Sequence, residues 1–282
     1  MAPPDGLDAE TFAAFRDLIH ASSGIALQPG KEALLLARIG KRMRQLGLGD
    51  PASYLALVRD DQTQTELVDL LDAIATNVTS FFREADHFEV LAEAHRAALA
   101  AGRRRFRYWS AACSSGEEPY TMAMVLLAAN GDATVDLKIL ATDLSTRILA
   151  RATAGRYPLT ALEPVPPAWR RRFFEPGADG LAQAGADLRG AVVFRHLNLS
   201  TPPFPMQGPL DAIFLRNVMI YFDEQGRQRV VDEAVRLLKP GGYLFCGHAE
   251  SLNRLRTPLR LVQPSVYLKP VPGAPERGRP WR

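Results

Sequence analysis

The sequence predicts an α/β protein in which a small all-helical N-terminal domain precedes a larger domain built on a parallel, doubly wound sheet. Three features predict it. Through residue 75, apolar residues recur at helical spacing and no strand-like run interrupts them. From Arg105 onward, apolar strand-like runs alternate with helical stretches, the pattern of parallel strands covered by helices on both faces. Residues 156–190 break that alternation with Pro, Gly and the aromatic-basic run Trp169 to Phe174, which marks an insertion.

Taken in order, Leu7, Phe12, Phe15, Leu18 and Ile19 lie on one face of a first helix, and Gly24 stops it. A second helix follows Pro29-Gly30, with Leu35, Leu36, Ile39, Met43 and Leu46 on one side and Arg38, Lys41, Arg42 and Arg44 largely opposite. Asp50-Pro51 reads as an N-cap followed by proline in the first turn, opening a third helix. A fourth runs from Gln64 to Ile74, and residues 76–104 form a linker with its own helix. The predicted sheet strands are Phe106–Ala112, Leu137–Thr142, Val192–Arg195, Asp211–Leu215 and Gly242–Gly247, with helices at Pro119–Ala129, Thr146–Ala154 and Glu224–Leu238. Pro240-Gly241-Gly242 is expected to make a sharp turn into the last of these strands, and Leu259–Lys269 to add a closing strand pair. The Pro/Gly/Arg-rich tail 271–282 is expected to be disordered.

At 282 residues the chain is long enough for one large and one small unit. No apolar run approaches the roughly 20 residues of a membrane span, and the acidic, Pro-rich start is unlike a secretory signal. Cys113 and Cys246 each sit in an apolar run, which argues for a reducing compartment, the cytoplasm, and against a disulfide framework or structural metal. The net charge of +3 does not by itself call for nucleic acid. It is concentrated, however: residues 31–44 carry five basic side chains against Glu32, a surface suited to an acidic partner or simply a solvated face.

The chemistry is expected at the carboxyl ends of the strands. After the first strand comes Cys113-Ser114-Ser115-Gly116-Glu117-Glu118, a small-residue turn that lets a ligand approach the backbone. The G-x-G-x-x-G dinucleotide fingerprint is absent, and two acids here repel a pyrophosphate, so NAD and FAD fit poorly. Acids suit a ligand with ammonium and sulfonium centres, or else they simply favour the helix N-terminus. Asp143, closing the second strand outside the core, would accept hydrogen bonds from both ribose hydroxyls, or cap the next helix. Polar residues also gather in Asn77-Val78-Thr79-Ser80-Phe81-Phe82-Arg83 and in Arg216-Asn217-Val218-Met219-Ile220-Tyr221-Phe222.

Those two strings, with Ser115-Gly116-Glu117-Glu118-Pro119-Tyr120 and Ala141-Thr142-Asp143, stand in the order found in the CheR-type chemoreceptor glutamate methyltransferases. The resemblance covers about residues 7 to 270. It implies a Rossmann-like S-adenosylmethionine methyltransferase sheet domain over 105–270, a helical domain over 1–75, and an antiparallel β-subdomain inserted at 156–190. Carried over position by position, it implies cofactor contacts from Asn77, Thr79, Arg83, Glu118, Asp143, Asn198, Leu199, Arg216 and Asn217, with Arg83 and Tyr221 nearest the transferred methyl group. The implied activity is that of a monomeric protein-glutamate O-methyltransferase esterifying methyl-accepting chemotaxis receptors, with no nucleic acid, membrane insertion or metal involved. The basic helix, through Arg38, Lys41, Arg42 and Arg44, would dock the receptor's acidic methylation helices.

A glutamate side chain, with a pKa of about 4.3, is already the nucleophile at neutral pH, so no general base is needed. The sequence accordingly offers no His–acid pair near the motifs; His248 alone falls at a strand end. Arg83 would orient the carboxylate or make an inter-domain ion pair, and Tyr221 would donate a hydrogen bond or wall the pocket. Two rival classes remain. One is an amino-group methyltransferase of nucleic acid, but Thr201-Pro202-Pro203-Phe204 precedes the fourth strand rather than following it. The other is a binding module without catalysis, against which stand Arg83, Glu118, Asp143 and Tyr221. Some family members grip a receptor's C-terminal peptide with the β-subdomain. The corresponding stretch here, Glu175 to Gly185, is short and rich in small residues, so no such grip is expected.

Overall fold

The structure, a computed structural model, describes residues 7–75, 77–177 and 179–273. Most of the tail expected to be disordered, from residue 274 on, lies outside them, as do Thr76 and Ala178.

Helix α1 (Ala9–Ser23) starts where the Asp8 carboxylate accepts the Thr11 N–H and stops at Gly24, which takes the left-handed conformation at φ 72°. A side chain at Gly24 would also collide with Ser200 and Phe222 of the sheet domain, so the close approach of the two parts requires glycine there. Helix α2 (Glu32–Leu46) ends on Gly47, α3 (Pro51–Asp60) is capped by Asp50 through the Ser53 N–H, and α4 (Thr65–Ile74) follows. Their apolar faces share one core around Phe15, Ile19, Leu35, Ile39, Tyr54 and Leu70. Helix α5 (Asp86–Ala100) then leads to the sheet.

The sheet chain runs β1 (Arg105–Ala111), α6 (Glu117–Ala129), β2 (Asp136–Asp143) and α7 (Thr146–Ala154). Next come β3 (Arg156–Pro158), α8 (Pro167–Phe173), β4 (Phe174–Pro176), β5 (Leu181–Ala184) and α9 (Ala186–Ala191). It closes with β6 (Val192–His196), β7 (Leu210–Leu215), α10 (Glu224–Leu237), β8 (Leu238–Cys246), β9 (Arg260–Gln263) and β10 (Val266–Leu268). Seven strands form the main sheet in the order β6-β2-β1-β7-β8-β10-β9. The first five are parallel and β10 runs antiparallel to both its neighbours. This is the doubly wound α/β sheet that the alternating pattern predicts. Alternate residues feed two cores: Phe106, Tyr108, Ala212 and Phe214 on one face, Trp109, Ala111, Ile213 and Leu215 on the other.

Strands β3, β5 and β4 form the separate antiparallel sheet of the insertion. The aromatic-basic run spans α8 and the start of β4: Phe173 and Phe174 are buried, while Arg171 and Arg172 are exposed. Two local expectations are corrected. Helix α6 begins at Glu117 rather than Pro119, because proline fits the first turn of a helix. The turn expected at Pro240-Gly241-Gly242 lies inside β8, where the register against β7 shifts and Gly241 adopts φ 76°.

Candidate active site

Strand order reverses at β1, whose two neighbours β2 and β7 lead outward in opposite directions, and a ligand crevice is expected at that point. A pocket lies there, enclosing about 960 Å³ of space, open side included. That is ample for a nucleoside with an amino-acid tail. It gathers residues far apart in the chain: Asn77 to Ser80 and Arg83 before β1, Ser114 and Glu118 after it, Asp143 after β2, Asn198 and Leu199 after β6, and Arg216, Asn217 and Tyr221 after β7. Every cofactor-contact and catalytic residue that the resemblance implies therefore lines one cavity.

Asp143 is buried, not outside the core as its strand-end position suggests. Its carboxylate accepts the Ser114 N–H at 2.8 Å and the Ser145 N–H at 3.0 Å, tying together the turns after β1 and β2. Burial pushes its carboxyl pKa up, and those two N–H groups oppose the shift. The helix-capping alternative falls to a neighbour, since the Ser145 hydroxyl receives the Ile148 N–H at the start of α7.

The two acids of the first turn divide. Glu117 accepts the Ser115 hydroxyl, and Glu118 faces the pocket and accepts the Ser110 hydroxyl at 2.6 Å. Glu118 lies 3.4 Å from the Arg216 guanidinium. Burial raises its pKa, while Arg216 and Ser110 pull it down. A cavity walled by Asp143 and Glu118, with a small-residue turn beneath it, fits a ligand that carries positive charge and ribose hydroxyls.

Arg83 donates one N–H to the Val78 carbonyl at 2.8 Å, and among the described residues it makes no ion pair. The inter-domain ion-pair alternative belongs instead to Arg147 of α7, which reaches Asp72 of α4 at 2.9 Å. The Arg216 side chain is 1% exposed and bonds to Glu84, to Glu118 and to the Arg83 carbonyl. Asn198 donates to the Ser22 carbonyl of α1 at 2.7 Å, and Leu199 is buried. Tyr221 packs against the helical core, and its carbonyl accepts the Ala26 N–H. The helical part thus forms one wall of the cavity.

Residues 77–268 match the model of the CheR methyltransferase SAM-binding domain, and residues 10–75 match the CheR all-alpha domain. The chain belongs to the CheR methyltransferase family. Its relatives include a chemotaxis protein methyltransferase of Salmonella typhimurium, 39% identical and covering 89% of this chain and 86% of that one. Chemotaxis protein methyltransferase 2 of Pseudomonas aeruginosa is 39% identical over 92% of each chain, and the Escherichia coli protein is 39% identical over 91% and 89%. S-adenosylmethionine is accordingly the cofactor of this CheR family member, a methyltransferase.

Three features of the site departed from the sequence reading. The expected absence of a His–acid pair is corrected at His248, whose Nε2 lies 3.2 Å from Asp86; His87 Nδ1 stands 3.5 Å from Glu84, and neither ring nitrogen of His87 has a hydrogen-bond partner among the described residues. His87 and His248 are brought ring against ring at 5.0 Å from α5 and the end of β8, a pairing that no spacing along the chain reveals. His87 is fully buried, and burial together with Arg216 lowers its pKa to about 4, which keeps it neutral. Glu84, His87 and His248 place donor atoms within 4.8 Å of one another. Tetrahedral ligation at zinc would bring them to about 3.4 Å, and the neighbouring Arg216 already holds Glu84.

The second is Glu84 itself, which follows the Asn77–Arg83 string and carries no sequence signal of its own. The third is the basic face of α2, which is split. Arg42 is bound to Glu66 at 2.8 and 2.5 Å and to Asp69 at 2.7 Å, and Arg38 reaches the Ala73 and Ala75 carbonyls. Both serve the packing of α2 on α4, because helical spacing brings them round toward its acidic face. Lys41 and Arg44 remain exposed.

Proposed function

We propose that this protein forms glutamate γ-methyl esters on the cytoplasmic helices of methyl-accepting chemoreceptors, acting as a protein-glutamate O-methyltransferase. The observation that carries the reading is the convergence of Arg83, Tyr221, Glu118 and Asp143 on one cavity within a chain of the CheR family. Asp143 would hold the ribose, and Glu118 would receive the positive charge of S-adenosylmethionine, which is shared between its ammonium group and the sulfonium centre that carries the electrophilic methyl. Asn77, Thr79, Asn198, Leu199, Arg216 and Asn217 would complete the cofactor's surroundings.

The substrate carboxylate is the nucleophile without help, so the residues' task is to orient it, strip its water and leave its charge available. Arg83 suits that task. One of its N–H groups is spent on Val78, which fixes the side chain, and the rest of the fork has no described partner. Tyr221 would close the wall beside it. The exposed Lys41 and Arg44 would meet the acidic receptor helix, with Arg38 and Arg42 supporting the helix that presents them.

The test is transfer of tritium from methyl-labelled cofactor to receptor-containing membranes, read as base-labile ester. Base-labile label on receptor is expected. Base-stable label, or label on nucleic acid, would overturn the reading.

A further inference from the structure

Glu84 is tied to three segments at once. Its Oε2 accepts the Arg216 Nε–H at 3.2 Å, and its Oε1 receives the Asn217 side-chain amide and the His248 N–H, each at 3.3 Å. The linker, the end of β7 and the end of β8 therefore meet on one carboxylate. Glu84 holds this position at a backbone cost: φ is 55° there and 56° at Phe82, a left-handed conformation that non-glycine residues seldom adopt. Burial pushes the Glu84 carboxyl up. Arg216, the His248 N–H and the Asn217 amide outweigh that and hold it below the usual carboxylate range.

Its main partner, Arg216, is shared. The guanidinium lies 3.1 Å from Glu84 and 3.4 Å from Glu118, and only Glu118 of those two acids lines the cofactor cavity. The three charges sum to one negative. Without Glu84, Arg216 would be left with Glu118 alone, and the wall facing the cofactor would become neutral. It would also lose the anchor that holds its Nε–H away from the cavity.

We propose that Glu84 is a positioning residue: by holding Arg216 from outside the cavity, it leaves Glu118 with the negative charge that receives the cationic cofactor. The inference rests on the assignment of Glu118 to the cofactor. Two consequences follow that a merely structural role would not produce. Loss of the Glu84 charge should penalise S-adenosylmethionine, whose sulfur is cationic, more than S-adenosylhomocysteine, whose sulfur is neutral. It should also matter little once Glu118 has lost its own charge.

Both are read by calorimetry on the full-length chain, with Glu84→Gln, Glu118→Gln and the double variant titrated with each ligand. Glu84→Gln is expected to weaken S-adenosylmethionine about tenfold, and this effect should shrink below about twofold in the Glu118→Gln background. Glu84→Asp, which keeps the charge, should retain the wild-type preference between the two ligands, and it carries the comparison should Glu84→Gln not fold. Equal weakening of both ligands, additive effects, or a changed preference in Glu84→Asp would overturn the proposal. Unchanged binding in Glu118→Gln would instead overturn the cofactor assignment on which it rests.

Discussion

Replacing Asp143 by alanine should damage both the fold and cofactor binding, and the structure gives the size of each. The carboxylate is 8% exposed and accepts two backbone N–H groups, from Ser114 at 2.8 Å and Ser145 at 3.0 Å. Alanine leaves both donors in a buried turn without a partner. Hydrogen bonds to a charged group contribute roughly 1.5–3 kcal/mol each. The raised pKa of Asp143 indicates that desolvation of the charge offsets part of this. A net loss of about 2–3 kcal/mol is expected, or roughly 5–10 °C in the thermal midpoint of a chain this size. Cofactor affinity should fall at least about tenfold on top of that, since a ribose would lose its carboxylate. Asp143→Asn keeps an acceptor for one N–H, so it should recover part of the stability while remaining defective in binding. Urea denaturation and calorimetry with S-adenosylhomocysteine read the two effects separately. An alanine variant as stable as the wild type would refute the tie between the turns. A folded variant with normal affinity would refute the ribose assignment.

Arg83→Ala is expected to lower kcat more than it weakens cofactor binding. Arg83→Lys should recover little, because lysine keeps the charge but not the fork, and normal turnover in either variant would remove Arg83 from the reaction. On α2, Arg42→Ala should destabilise the fold by about 2 kcal/mol by freeing the nearly buried Glu66, whereas Lys41→Ala and Arg44→Ala should leave the melting temperature unchanged and reduce receptor methylation. That methylation should also weaken as salt rises past physiological strength, and salt-insensitive methylation would contradict docking through charge. Titration with a receptor's C-terminal pentapeptide should give no micromolar binding if the small-residue stretch Glu175 to Gly185 offers it no grip. For His87 the folded pKa of about 4 lies below the ordinary 6.5, so the unfolded chain binds a proton that the folded chain excludes. Stability should therefore decline as pH falls from 6.5 toward 4, by a share on the order of 3 kcal/mol that His87→Asn abolishes; denaturation curves at pH 5 and pH 7 test it.

The chain alone determined the order and type of its main elements, because the information is local. The Asp8 and Asp50 caps, the Gly24 and Gly47 stops, and the switch from helical to alternating periodicity near Arg105 each act within a few residues. The motifs that line the cavity are legible for the same reason: each is a short string, three of them at the ends of β1, β2 and β7 and one between α4 and α5. Pairing across the chain was not legible. Arg42 reads as part of a basic face until α4 is packed against α2 and Glu66 and Asp69 receive it. Glu84 acquires Arg216 and the His248 N–H, and His87 its ring contact with His248, only when the ends of β7 and β8 come to lie beside the linker, more than 130 residues away in sequence. Asp143 changes from a strand-end carboxylate to a buried junction once the turn after β1 closes over it. In each case the deciding quantity is which charge or N–H group burial brings within hydrogen-bond distance, and sheet order and helix packing set that distance.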